Sequence, residues 1–207
     1  MPHSPATPDI NSPHDPRAGL LSVSFLGLLA TQFLGAVNDN ALRWLVIGLG
    51  KSYVDPENIS NVIMAGTACF VLPYLFLAAP AGFFADRFSK QAVIVACKGA
   101  EVVIMLLAVG AILLGNIYVM FVIVAAMGAQ SALFGPSKFG SIPEMLRADR
   151  ISAANGAIGM ITVTATAIGT IVGCNLADAT VHRELERWWL FGSVLVGLAA
   201  VGMVGSL

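Results

Sequence analysis

The sequence predicts an all-α membrane protein with six transmembrane helices, and three observations carry that prediction. Of 207 residues, 57% are hydrophobic and only 11% are charged, against roughly 25% charged in an average soluble domain. The mean hydropathy is +0.82. Six spans of ~20 residues would consume about 120 residues, and long apolar runs separated by short charged breaks supply them. This composition excludes a soluble enzyme. The three cysteines, Cys69, Cys97 and Cys174, lie inside apolar runs, which excludes a secreted disulfide scaffold. A net charge of −1 leaves no basic footprint for nucleic acid.

Residues 1–18 hold five of the ten prolines and little apolar bulk, so they cannot bury enough surface to offset their ordering entropy. They read as a disordered cytoplasmic tail, and without a basic start they are not a signal peptide. Residues 19–207 form the bundle, with spans expected at about 20–50, 60–85, 91–114, 117–135, 153–178 and 188–207. Asp55-Pro56-Glu57-Asn58 breaks the first pair and Asp86–Gln91 the second. Gly115-Asn116 makes a tight turn, Pro136–Ser152 is the longest internal loop, and 179–187 closes the fifth span. Trp188 and Trp189 stand where an interfacial aromatic belt would put them. The tail and loops 2–3 and 4–5 carry Arg17, Arg87, Lys90, Lys138, Arg147 and Arg150, whereas the opposite side carries Lys51, Arg183 and Arg187. That bias puts both termini in the cytoplasm.

Four ionisable residues fall within apolar runs: Asp39, Arg43, Lys98 and Glu101. Each would cost ~2.5–3.5 kcal/mol facing lipid near the midplane. They must face one another, the bundle interior or a wet cavity. On a helical wheel Asp39 and Arg43 fall within about 20° of Gln32, Asn40 borders the stripe, and Asn38 points toward a neighbouring helix. Asp39 and Arg43, four apart, can pair within the helix. The stripe reads as a cavity lining that meets substrate or a coupling ion. Lys98 and Glu101, three apart, can pair as a structural clamp or line the same cavity. In span five Asn155, Gly159, Thr162, Thr166 and Thr170 share a sector. There Ala165, Gly169, Gly173 and Ala177 repeat small residues every four positions, which lets another helix approach closely.

Motifs for chemistry are lacking. Gly50-Lys51-Ser52 resembles the end of a phosphate-binding loop, but Leu45 stands where that loop needs glycine. No histidine lies five residues before an aspartate, so the acyl-transfer motif of lipid acyltransferases is missing. His3, His14 and His182 have no metal-ligand spacing. Neither enzyme activity nor a cofactor is expected.

The segment Gly82-Phe-Phe-Ala-Asp86-Arg87-Phe-Ser-Lys90 resembles the loop 2–3 signature of the major facilitator superfamily. In that reading Gly82 permits close packing at a helix end, Asp86 accepts from a helix N-terminus or a facing arginine, and Arg87 and Lys90 hold the orientation. Ser89 replaces the usual glycine and Gln91 the last basic residue. Within the superfamily, Thr31–Ala41 with its Asn38-Asp39-Asn40 core looks like the first-span signature of the bacterial lysophospholipid transporter family. Gly135-Pro136-Ser137-Lys138-Phe139-Gly140 followed by Pro143-Glu144 resembles its loop after span four. Ala154-Asn155-Gly156 and Leu176-Ala177-Asp178 resemble the two ends of its fifth span.

The resemblance implies one six-helix half, a 3+3 repeat bundle, of a twelve-span fold. Its function would be a flippase-like carrier moving lysophospholipid across the cytoplasmic (inner) membrane by alternating access. Asp39 and Asn40 would line the path and Lys138 would sit at its cytoplasmic mouth. Arg43 joins them from the wheel, as a cation beside a phosphate path. The implied partners are the bilayer, the lysophospholipid, a second six-helix half or a second copy of the chain, and a lipid acyltransferase that reacylates the cargo. A chain ending at its sixth span is expected to be a fragment of the carrier. The alternatives are a facilitator-type carrier of another small solute and a non-transporting membrane subunit.

Overall fold

The computed structural model describes residues 19–182 and 188–204, and the expected tail at 1–18 lies outside them. Each predicted span becomes a helix: α1 (Val23–Lys51), α2 (Ile59–Arg87), α3 (Lys90–Leu114), α4 (Ile117–Met145), α5 (Ile151–His182) and α6 (Trp188–Val204). Their ends are set by local polar chemistry. Ser22 caps α1 by accepting from the Phe25 amide at 3.4 Å, and Asn116 caps α4 by accepting from Tyr118 and Val119 at 3.0 and 3.3 Å. Ser89, the departure from the superfamily glycine, is the N-cap of α3. At the other end of α3, Gly115 takes the left-handed conformation (φ +63°) that a side chain would oppose.

Four helices, α2 to α5, are long and apolar enough to cross a membrane, and residues Gly192–Met203 of α6 form a shorter apolar helix. The chain is a multi-pass helical membrane protein. α1 has 29 residues, but its polar stripe of Gln32, Asn38, Asp39, Asn40 and Arg43 keeps it out of that group.

One expectation is overturned. The stretch from Pro136 is not a loop: α4 runs through Pro136 and Pro143 to Met145, leaving only a short 3-10 turn at Ala148–Arg150 before α5. Proline in a helix removes one backbone hydrogen bond and strains the preceding turn. Within a packed membrane bundle neighbouring groups re-satisfy the freed carbonyl. Lys138, counted above among the loop cations, therefore lies inside a span, and the cationic bias falls to five against three.

α1 is the hub. It packs along α5 and also touches α6, α4 and α2, while α2 lies along α4, and α3 sits on α4 and α6. The small-residue repeat of α5 performs as expected. A Cβ at Gly169 would lie 2.4 Å from the Val37 carbonyl oxygen, and one at Gly173 2.4 Å from that of Ala41. Gly128 plays the same part between α4 and α2, where a Cβ would meet the Phe70 carbonyl oxygen.

The core is layered. One apolar cluster gathers Leu42, Leu45, Met105, Met120, Met127 and Leu195. A second gathers Phe25, Leu28, Ile94, Phe134, Ile142 and Ile158. Between them, in residue order along α1 and α3, lies a buried polar belt that includes Gln32, Asn38, Lys98 and Glu101. On α4 Gln130 falls between Met127 and Phe134, and Lys138 lies about two turns further on, between Phe134 and Ile142 of the second cluster. At 1.5 Å per residue, Asp39 lies about 24 Å from the Val23 end of α1 and about 18 Å from the Lys51 end. The belt is therefore near mid-helix.

Candidate functional site

The belt encloses a cavity of about 70 Å³, room for a few water molecules. α1 contributes Gln32, Gly35, Ala36 and Asp39, α2 contributes Tyr74, α3 Lys98 and Glu101, and α4 Gln130, Ser131, Phe134 and Lys138. Tyr74 alone among these is exposed, at 40%, and marks the open side.

Two of its charges neutralise each other. Lys98 Nζ donates to Glu101 Oε2 at 2.6 Å, and each side chain is only 2% exposed. Glu101 Oε1 accepts from Asn38 Nδ2 at 3.0 Å, so Asn38 does reach a neighbouring helix. The ammonium is admitted by Gly35, where a Cβ would lie 2.5 Å from Nζ. The Phe134 ring lies 5.4 Å away. Lys98 and Glu101 thus act as a clamp between α1 and α3 while also walling the cavity.

The other two charges remain available. Asp39 Oδ2 accepts from Ser131 Oγ at 2.5 Å, and its Oδ1 is buried without a hydrogen-bond partner. Lys138 Nζ donates to the neutral Gln32 Oε1 at 2.9 Å and lies over the rings of Phe139 and Phe134 at 4.6 and 5.6 Å. Among the described residues, no carboxylate lies within ion-pair distance of Lys138. A buried charge without an opposite partner is costly. The cavity thus brings an anion and a cation together without an ion pair between them.

Asp39 and Arg43 do not form the expected ion pair. The carboxylate turns into the cavity toward α4. Arg43 instead donates through Nη2 to Asn40 Oδ1 at 2.8 Å, and its guanidinium sits 5.2 Å from the Phe70 ring and 5.6 Å from that of Trp44. Asn40 and the two rings hold the guanidinium, while Ser131 holds the carboxylate on the other side. Arg43 and Asn40 lie outside the cavity lining. Asn40 Nδ2 donates to the Ala36 carbonyl at 2.8 Å and reaches Thr166 Oγ1 on α5 at 3.4 Å. Asn155 is exposed at the start of α5 and touches none of this.

The 2–3 segment is shorter than its loop reading. Asp86 and Arg87 are exposed in the last turn of α2, and only Phe88 and Ser89 intervene before α3. Gly82 packs closely against nothing: a Cβ there would meet no atom within 4 Å. Asp86 makes no hydrogen bond or ion pair among the described residues, since helix α2 continues past it and it faces outward. Lys90 does hold an orientation, through Glu144 at the end of α4 at 2.6 Å. With Glu144 60% exposed, Glu144→Gln should change stability by less than about 1 kcal/mol in a thermal unfolding assay.

Comparison with curated proteins gives the relationship. The chain is 33% identical over 201 residues to the lysophospholipid transporter LplT of Cronobacter sakazakii, covering 96% of this chain and 45% of that protein. It is 32% identical over 182 residues to the LplT of Photorhabdus laumondii, covering 88% and 42%. Over the matched part the chain is homologous to these lysophospholipid transporters. It spans somewhat under half the length of the curated relatives it matches. The Klebsiella pneumoniae transporter matches at 32% over 160 residues, 77% of this chain and 38% of that protein. No family model and no solved structure matches. The named relatives are transporters rather than enzymes.

Within this lysophospholipid transporter homologue, the predicted residues Gln32, Asp39, Lys98, Glu101 and Lys138 converge on one cavity, whereas Asn40, Arg43 and Asn155 do not line it. Gly35, Ala36 and Tyr74, and on α4 Gln130, Ser131 and Phe134, complete the lining without having been singled out. The signal on α4 is periodic: Gln130, Phe134 and Lys138 recur every four residues, one face of a helix. Treating Pro136 as the end of the span hides that register.

Proposed function

We propose that this chain is one six-span half of a major facilitator carrier that moves lysophospholipid across the cytoplasmic membrane by alternating access. The observation that carries the reading is the cavity in which Asp39 keeps a free carboxylate oxygen and Lys138 has no anionic partner. A zwitterionic headgroup suits that pair: its ammonium faces Asp39 and its phosphate faces Lys138. The names of the relatives support the cargo class. The packing supports the half-fold. Exchanging α1–α3 for α4–α6 maps the α1·α5 pairing onto α4·α2 and the α3·α4 pairing onto α6·α1, as an internal repeat requires. The remaining six spans come from a second half or a second copy, and both termini face the cytoplasm. There a lipid acyltransferase consumes the delivered product. Asp86, Arg87 and Lys90 latch the cytoplasmic side in one state of the cycle.

The test is binding of lysophosphatidylethanolamine to the chain in lipid nanodiscs. A charge-assisted hydrogen bond contributes about 1.5–3 kcal/mol, so Lys138→Met should weaken binding by roughly ten- to a hundredfold. Asp39→Asn should weaken it less for lysophosphatidylglycerol, which lacks the ammonium, than for lysophosphatidylethanolamine. Equal affinity of Lys138→Met and the unaltered chain would remove the headgroup reading.

A further inference from the structure

We infer that Gln32 is a positioning residue which holds Lys138 ready for the phosphate and reports its capture to α5, through a three-helix bridge Lys138–Gln32–Thr162. This rests on the headgroup reading above.

The bridge is continuous. Lys138 Nζ on α4 donates to Gln32 Oε1 on α1 at 2.9 Å, Gln32 Nε2 donates to Thr162 Oγ1 on α5 at 2.8 Å, and Thr162 Oγ1 donates to the Ile158 carbonyl at 2.7 Å. α4 and α5 otherwise barely touch. Gln32 and Lys138 are 7% and 8% exposed, so water does not substitute for these contacts. The amide orientation is fixed from both sides: with Nε2 committed to Thr162, the carbonyl oxygen must face the ammonium.

The chemistry of the donor set gives the bridge its direction. A neutral amide oxygen is a weak partner for a buried ammonium, while a phosphate makes shorter and stronger charge-assisted hydrogen bonds. A phosphate arriving in the cavity draws Lys138 away from Gln32. Gln32 Oε1 then loses its donor in a buried setting, and an orphaned buried acceptor is unfavourable. The amide must turn, and turning breaks its bond to Thr162. Occupancy at α4 is thereby felt at α5, a helix that carries exposed Met160 and Val163 on its outer surface.

Three variants separate this from a merely structural polar contact. The experiment uses the chain in lipid nanodiscs, with lysophosphatidylethanolamine as probe, native cysteines replaced by alanine, and spin labels at exposed Val122 (α4) and Val163 (α5). Two readouts are taken: affinity, and the ligand-induced change in the α4–α5 distance distribution. Gln32→Glu should form an ion pair with Lys138 that competes with phosphate and weaken binding by at least tenfold. Gln32→Leu leaves Lys138 without its positioning partner, so it should weaken binding severalfold and abolish the distance change. Thr162→Val removes only the α5 end at nearly constant shape, so it should reproduce that uncoupling with unchanged affinity even where Gln32→Leu folds poorly. A preserved distance change in Thr162→Val, or unaltered affinity in Gln32→Glu, overturns the inference. If Lys138→Met also binds as tightly as the unaltered chain, the headgroup reading has failed. If Lys138→Met loses binding while the Gln32 and Thr162 variants behave normally, only the bridge has failed.

Discussion

Replacing Glu101 with glutamine should destabilise the bundle by about 3–5 kcal/mol, because it leaves the Lys98 ammonium buried with no opposing charge. Lys98 and Glu101 are each 2% exposed at the side chain and bonded at 2.6 Å. Glutamine preserves shape and an acceptor, so the loss isolates the charge. The double substitution Lys98→Met with Glu101→Leu should recover most of the stability, since a buried ion pair replaced by apolar groups of similar volume is often neutral or better. Thermal unfolding in a mild detergent, read by helical circular dichroism, gives both values. If the single variant melts within a degree or two of the unaltered chain, the pair is not shut away from water.

The second large effect is steric. Gly128→Ala should cost about 1–3 kcal/mol, because its Cβ would press on backbone, namely the Phe70 carbonyl oxygen, carbon and Cα. A flexible side chain could swing aside; a neighbouring helix backbone can move only by prising α2 from α4. Gly159→Ala supplies the control. A Cβ there meets nothing within 4 Å, so it should be neutral, or stabilising by up to about 1 kcal/mol through the higher helix propensity of alanine. The same unfolding assay on both variants decides whether close approach or propensity governs these glycines.

The helices themselves were legible because hydrophobic runs and charged breaks are one-dimensional signals. Each of the six apolar runs is helical, four of the helices being long and apolar enough to cross a membrane, and Asn38 and the small-residue face of α5 were assigned neighbours from periodicity alone. What periodicity does not contain is competition. Asp39 and Arg43 have suitable spacing for an ion pair, yet Ser131 on α4 and the Phe70 ring on α2 draw them apart. Those competitors lie 92 and 27 positions away along the chain. Pro136 misled for a related reason. Proline signals a break in water, where the lost hydrogen bond is cheaply replaced outside the helix. In a packed bundle no such alternative exists, and the helix continues to Met145. That continuation brings Lys138 into the cavity and makes the α4 face of Gln130, Phe134 and Lys138 part of the site.

The two apolar clusters above and below the polar belt act as stoppers. Along α1 and α3 the belt is bounded in both directions by buried apolar side chains. Among the described lining residues Tyr74 is the exposed one, so the cavity's open flank is the side on which its ring stands. A carrier of the kind proposed, built on such a plan, would open at its flank without opening along its axis.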